Sequence, residues 1–288
     1  RSLMHHLYPL TLYERPPDAS PHDALIASPL VLPPPVGGPL KNPFPKTGLM
    51  ERLAYGDLPG IVTAKNEDKA SLLKTYAVVH LEEEIRREAL VKDWGAFVRF
   101  LKLSAAEAGK ILNYAGISQE SGISQPTVKT YYQLLEDMFI GFRVSAYSRS
   151  PRKNLLSTPK FLFFDLGIRH AAAGLRPSVD VVKANPGDFF EQWVGIELWK
   201  RLQYLEEGSL AYLRTRDGAE VDFIIQYQDR LVPIEVKWTE HPSIQDARHL
   251  LTFLAENPKK AEKGYLICRC PRPLQLSDKI TALPWFCL

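Results

Sequence analysis

Three cysteines in 288 residues are too few for a disulfide framework, and the Cys268-x-Cys270 spacing without further ligands makes no zinc site. Cys268, Cys270 and Cys287 therefore read as buried free thiols in a reducing, cytoplasmic compartment. No apolar run approaches the roughly 20 residues that span a bilayer, which excludes a transmembrane helix. The first residues, Arg1-Ser2-Leu3-Met4-His5-His6, lack the basic-then-apolar layout of a secretory signal. They also lack an initiator Met, so the expectation is a fragment or a gene without its front. Charge of one sign is not in large excess either. The net charge of +3 permits nucleic acid without requiring it, because phosphate affinity comes from clustered basic side chains. Also missing is G-x-x-x-x-G-K-[ST], the loop that cradles phosphates through backbone N–H groups and a lysine, so ATP hydrolysis is not expected from this chain.

What is present falls into segments. Residues 1–15, which the resemblance named below implies to be the remnant of an ATPase core, precede a proline-rich stretch, 16–50, which reads as an extended connector because proline removes a donor and fixes φ. Residues 51–104 read as a helical, lid-like region. Leu72, Leu73, Tyr76, Val79 and His80 repeat at helical spacing, as do Trp94, Phe97, Val98 and Leu101. The charge run from Glu82 to Arg87 reads as a solvated helix face.

Residues 105–165 read as a winged helix-turn-helix. A short helix ends at Gly122, where a left-handed turn is easiest, and Ser124 caps a second helix with Pro126 in its first turn. Gln125, Thr127 and Lys129 are the candidates to face a major groove. Strand-like runs at 139–144 and 161–164 flank a basic loop in which Arg149, Arg152 and Lys153 are candidate phosphate contacts. DNA contact and protein–protein packing are about equally expected of such a module.

Residues 166–288 carry the candidate chemistry. A helix over 189–205 precedes strands at 210–213, 220–225 and 231–237, then a helix over 244–255 and a strand at 265–268. This αβββαβ order is that of an α/β, restriction-endonuclease-like core. Glu235 and Lys237 are two apart on a strand and project from one face, while Ile234 and Val236 project from the other. Asp222 lies on the preceding strand, and the Gln228-Asp229 turn folds the two strands together so that the carboxylates converge. Asp222, Glu235 and the Val236 carbonyl are hard oxygen ligands suited to Mg²⁺ or Mn²⁺. Lys237 is placed to orient a water or stabilise charge, and Glu191 in the opening helix is a further carboxylate. Asp165, before Leu166-Gly167, reads as a cap or turn residue.

Several motifs together resemble one family. They are Leu7-Tyr8-Pro9-Leu10-Thr11-Leu12-Tyr13-Glu14, the stretch Gly116 to Glu136, Pro159-Lys160-Phe161-Leu162-Phe163-Phe164-Asp165-Leu166-Gly167, Phe190-Glu191, Glu220-Val221-Asp222-Phe223, Ile234-Glu235-Val236-Lys237 and Leu283-Pro284-Trp285. The chain is similar to the C-terminal portion of prokaryotic AAA-type ATPases that end in a PD-(D/E)XK nuclease-like domain. The resemblance implies an AAA ATP-binding protein whose ATP site lies in the full-length family member, with Asp222, Glu235, Lys237 and Glu191 in a Mg²⁺-dependent nuclease centre acting on DNA. The alternatives are an inactive DNA- or protein-binding adaptor and a homo-oligomerisation region of an ATPase.

Overall fold

A computed structural model describes residues 7–14, 42–80, 83, 85, 91, 93–148, 157–215 and 218–288. Most of the proline-rich stretch, most of the charge run at 82–87, and Arg149, Arg152 and Lys153 lie outside the described residues. Among those described, no helix is long and apolar enough to cross a membrane.

The N-terminal half is helical: α1 (Gly48–Tyr55), α2 (Pro59–Val62), α3 (Asn66–Thr75), α4 (Trp94–Ala106), α5 (Tyr114–Ser121) and α6 (Gln125–Asp137). The expected continuous helical pattern from Lys69 to Leu103 is interrupted. A π turn at Tyr76–His80 follows α3, and α4 starts anew at Asp93, whose side chain accepts the Ala96 N–H. The first apolar stripe is also not the buried one. Leu73 is inside, but Leu72, Tyr76 and Val79 are exposed. The second stripe holds, with Phe97 and Leu101 buried and Trp94 stacked on Phe97.

Between α5 and α6 the turn forms as its residues dictate. Gly122 takes φ 74°, and Ser124 accepts the Thr127 N–H. Ser118 donates to the Ile123 carbonyl at 2.6 Å and so closes the turn. Behind it, Tyr131 and Tyr132 pack edge-on against Phe97, Phe100 and Phe161, with centroids 4.8–5.1 Å apart in the closest pairs. Burial of such rings is worth about 1.5–3 kcal/mol each.

Strands β1 (Gly141–Ala146) and β2 (Lys160–Phe163) pair antiparallel. The expected start of β1 at Phe139 is displaced because Phe139 and Ile140 make the turn, with Phe139 at φ 56°. Helices α7 (Leu166–Ala172) and α8 (Val179–Ala184) lead to the long α9 (Pro186–Leu205). Then come β3 (Ser209–Arg214), β4 (Glu220–Tyr227), β5 (Arg230–Val236), a 3-10 turn at Ile244–Ala247, α10 (Arg248–Glu256), β6 (Gly264–Cys268), β7 (Leu274–Ser277) and β8 (Ile280–Pro284). The αβββαβ order is present. Two further strands follow it, and β1 and β2 belong to the same sheet, in the order β2-β1-β3-β4-β5-β6-β8-β7.

The sheet is packed on both faces. Phe190, Trp193, Val194, Leu198 and Leu202 of α9 meet Phe223, Ile225, Ile234 and Val236 on one face. Leu250, Phe253 and Leu254 of α10 meet Val221, Ile224, Leu231 and Leu266 on the other. Phe142 of β1 stacks on Trp199 of α9 at 4.2 Å, which carries the core across from the helical half. Cys268, Cys270 and Cys287 are free and buried.

Two of the motifs have structural roles. The Glu14 carboxylate caps the 7–14 segment, accepting the Thr11 N–H at 2.7 Å and hydroxyl at 2.9 Å. The same segment docks on α9, where Glu197 accepts the Leu12 N–H and Lys200 donates to the Leu10 carbonyl. Asp165 caps α7 through the Ile168 N–H and also accepts the Asp57 N–H at 2.7 Å, beside the buried Arg52–Asp57 pair. Burial lifts its carboxyl to about 6.

Candidate active site

The β4–β5 hairpin turns at Gln228 and Asp229, both with φ positive (49° and 59°), as a tight turn between twisted strands requires. Phe223 pairs with Ile234, and one further step of this register sets Asp222 opposite Glu235. Opposed residues of an antiparallel pair share a face. Ile234 and Val236 enter the core under α9, as the alternation predicts. Glu235 and Asp222 are buried, at 6% and 7% exposure. Lys237 follows the last residue of β5, is half-buried, and donates to Glu235 Oε1 at 2.6 Å.

The carboxylates are under electrostatic load. Asp222 Oδ2 accepts the Val236 N–H at 2.8 Å, yet burial, together with Glu191 and Glu235, pushes its carboxyl well above the usual range. Burial likewise lifts Glu235, against the opposing pull of Lys237. Its second oxygen, Oε2, is buried with no hydrogen-bond partner. Burial pulls the Lys237 ammonium down, but Glu235, Asp222 and Glu191 outweigh it and hold the group above its ordinary value. Lys237 is therefore a fixed cation and not a base.

One residue that the candidate set omits stands at this site. Lys160, quoted above only within a motif, reaches Glu191 at 3.0 Å and Glu220 at 3.5 Å, with its ammonium over the Tyr212 ring at 5.3 Å. It is 4% exposed. The signal in the sequence was a lysine in an otherwise apolar strand, but the partner lies across the sheet and no spacing reveals it. His249 in the first turn of α10 sits against the Glu220 backbone at 3.0–3.1 Å. Beside the acids, a cleft of about 310 Å³ opens between the helical half and the sheet, lined by Lys110, Lys160, Glu191, Gln192, Arg214 and Glu220.

The site thus brings together Asp222, Glu235, Lys237 and Glu191. Val236 joins the cluster through its N–H, which Asp222 accepts. Among the described residues no group of three or more His, Cys, Asp or Glu side chains is placed to hold a metal ion. Asp222 and the unpartnered oxygen of Glu235 are buried oxygen donors in a cluster where carboxylates repel one another. The groove-facing candidates are elsewhere, on α6. Gln125 and Lys129 are exposed, the latter over the Tyr114 ring, while Thr127 is half-buried and bonded to Ser124 at 2.7 Å.

Residues 46–179 match a domain of unknown function, DUF8612, and residues 186–288 match a second, DUF4143. The gap between the two matches runs through α8, and the second begins with the first residue of α9. The chain is 25% identical over 230 residues to uncharacterized proteins of Mycobacterium tuberculosis (Rv2008c) and Mycobacterium bovis (Mb2031c), covering 80% of this chain and 51% of each relative. An uncharacterized protein of Haemophilus influenzae is also 25% identical over 230 residues, covering 76% of this chain and 54% of its own. The chain spans about half the length of the curated relatives it matches.

Proposed function

We propose that residues 166–288 form a PD-(D/E)XK-type, restriction-endonuclease-like domain that hydrolyses DNA phosphodiesters with Mg²⁺ or Mn²⁺. The observation that carries this reading is the partnerless, buried Oε2 of Glu235 beside an Asp222 whose charge is resisted by burial and by two further carboxylates. Such a pair is costly unless a cation completes it. Asp222 and Glu235, with the Val236 carbonyl, would hold the ion. Bound there, a divalent ion supplies charge neutralisation at the scissile phosphate and a water of lowered pKa. Lys237, kept charged by its neighbours, positions the attacking water and offsets charge that develops on the phosphoryl oxygens. Glu191 orients the same cluster from α9.

The module of α5, α6, β1 and β2 reads as a winged helix that presents Gln125 and Lys129 to DNA, with Arg149, Arg152 and Lys153 as further phosphate contacts. In a longer protein of the AAA type, ATP-driven motion would control access to the site. The buried free thiols support a reducing, cytoplasmic setting.

A second reading is favoured by Lys160: an acid cluster that already contains a lysine can be a catalytically silent DNA- or protein-binding adaptor. The two are separated by cleavage of plasmid, single-stranded and branched DNA in Mg²⁺ or Mn²⁺, with Asp222→Ala and Lys237→Ala beside the parent. Metal-dependent cutting that drops at least 100-fold in both variants is the expected result. DNA binding without cutting, indifferent to metal, would replace the hydrolase with the adaptor.

A further inference from the structure

The site is not confined to the segment that supplies its carboxylates. Lys160 belongs to β2, in the half of the chain that matches the first domain, whereas Glu191, Glu220, Asp222 and Glu235 all belong to the second. Its backbone is fixed from two sides, by Val144 of β1 in the register and by a bridge to Ile111. Its ammonium is therefore delivered to the acids by the helical half, not by the domain it neutralises. A lysine withdrawn from water to this extent persists only where charged partners replace its hydration. Here they are Glu191, Glu220 and the face of Tyr212, with Asp222 close enough to act on it as well. The adjoining cleft is lined by Lys160 and by Gln192, whose buried Oε1 has no partner.

Resting on the metal-binding reading above, we propose that Lys160 is a tethered cation that competes with a divalent metal ion for the acid cluster, so that its charge sets metal affinity. One counter-charge serves Glu191 and, at longer range, Asp222. While Lys160 supplies it, a divalent ion entering beside Asp222 and Glu235 meets less negative potential. Without that counter-charge the same carboxylates are left uncompensated and draw the ion in. The helical half thereby becomes a regulator of the sheet's chemistry through a single side chain.

The test is Mn²⁺ affinity of the full chain by titration calorimetry, together with the Mn²⁺-induced change in melting temperature against EDTA. Lys160→Met is expected to bind Mn²⁺ at least 10-fold more tightly than the parent, to melt lower in EDTA and to gain more on Mn²⁺ addition. Lys160→Arg keeps the charge and should stay near the parent value. Lys160→Gln, a polar replacement, serves if the methionine variant does not fold, with the same tightening expected. Unchanged or weaker Mn²⁺ binding in the neutral variants, with binding still lost in Asp222→Ala, would overturn the competition alone and leave a structural lysine. No Mn²⁺ binding in the parent or in any Lys160 variant would overturn both the competition and the metal-binding reading.

Discussion

Asp222 is nearly buried, accepts the Val236 N–H and stands near two further carboxylates, so its ionised form is held at a cost to the fold. The sign follows from linkage. A carboxyl raised in the folded state keeps its proton there at pH values where the unfolded chain has lost it, so stability is greatest below the unfolded value near 3.9 and declines as pH rises toward the folded value. Asp222→Asn retains an acceptor for the Val236 N–H and removes the charge. At pH 8 without metal it should therefore melt above the parent. The gain should shrink as pH falls toward 4. A variant that melts below the parent at pH 8 would show that the carboxylate is stabilising. The residues of this cluster were largely legible. Alternation of Glu235 and Lys237 with Ile234 and Val236, and a turn at Gln228-Asp229, are local signals that fix which face each side chain takes. Lys160 was not legible, because its role depends on β2 being placed in the same sheet by contacts far apart in sequence.

Elements were readable where their boundaries are written in local chemistry. The turn at Gly122 and the cap at Ser124 are such a case, and so is α9 with its apolar face. Elements defined by tertiary contact were not. Strands β7 and β8 are short; β7 is half-exposed along its length, and β8 carries Ala282 and Pro284. The region from Lys69 to Leu103 carries two apolar stripes of similar period, the first of which runs into a π turn, and periodicity does not mark the break that follows. Two glycines separate the kinds of constraint. Gly122 has φ 74° and open space around it, so Gly122→Ala should cost about 1 kcal/mol from backbone conformation alone. Gly167 begins α7 against α1, and a Cβ there would lie 2.3 Å from the Tyr55 carbonyl oxygen. Gly167→Ala must separate the two helices and should cost about 2–4 kcal/mol, read by denaturant unfolding. Equal costs at the two positions would contradict the packing of α7 on α1.

At the scale of the molecule, one eight-stranded sheet runs from β2 through β7, covered by α9 and α10, and the acid cluster lies where strands, α9 and the helical half meet. The expected α/β class and the αβββαβ order are both present, and the sheet extends beyond them at each end. That extension brings Lys160 to the carboxylates and makes the site a property of the whole chain. The most direct measurement of what the acids hold is an anomalous difference map from crystals of the full chain grown with Mn²⁺. The expected result is one strong peak at coordination distance, roughly 2.0–2.6 Å, from Asp222, Glu235 and the Val236 carbonyl. A map with no peak there, in the parent and in Lys160→Met alike, would contradict a metal-dependent centre at these residues.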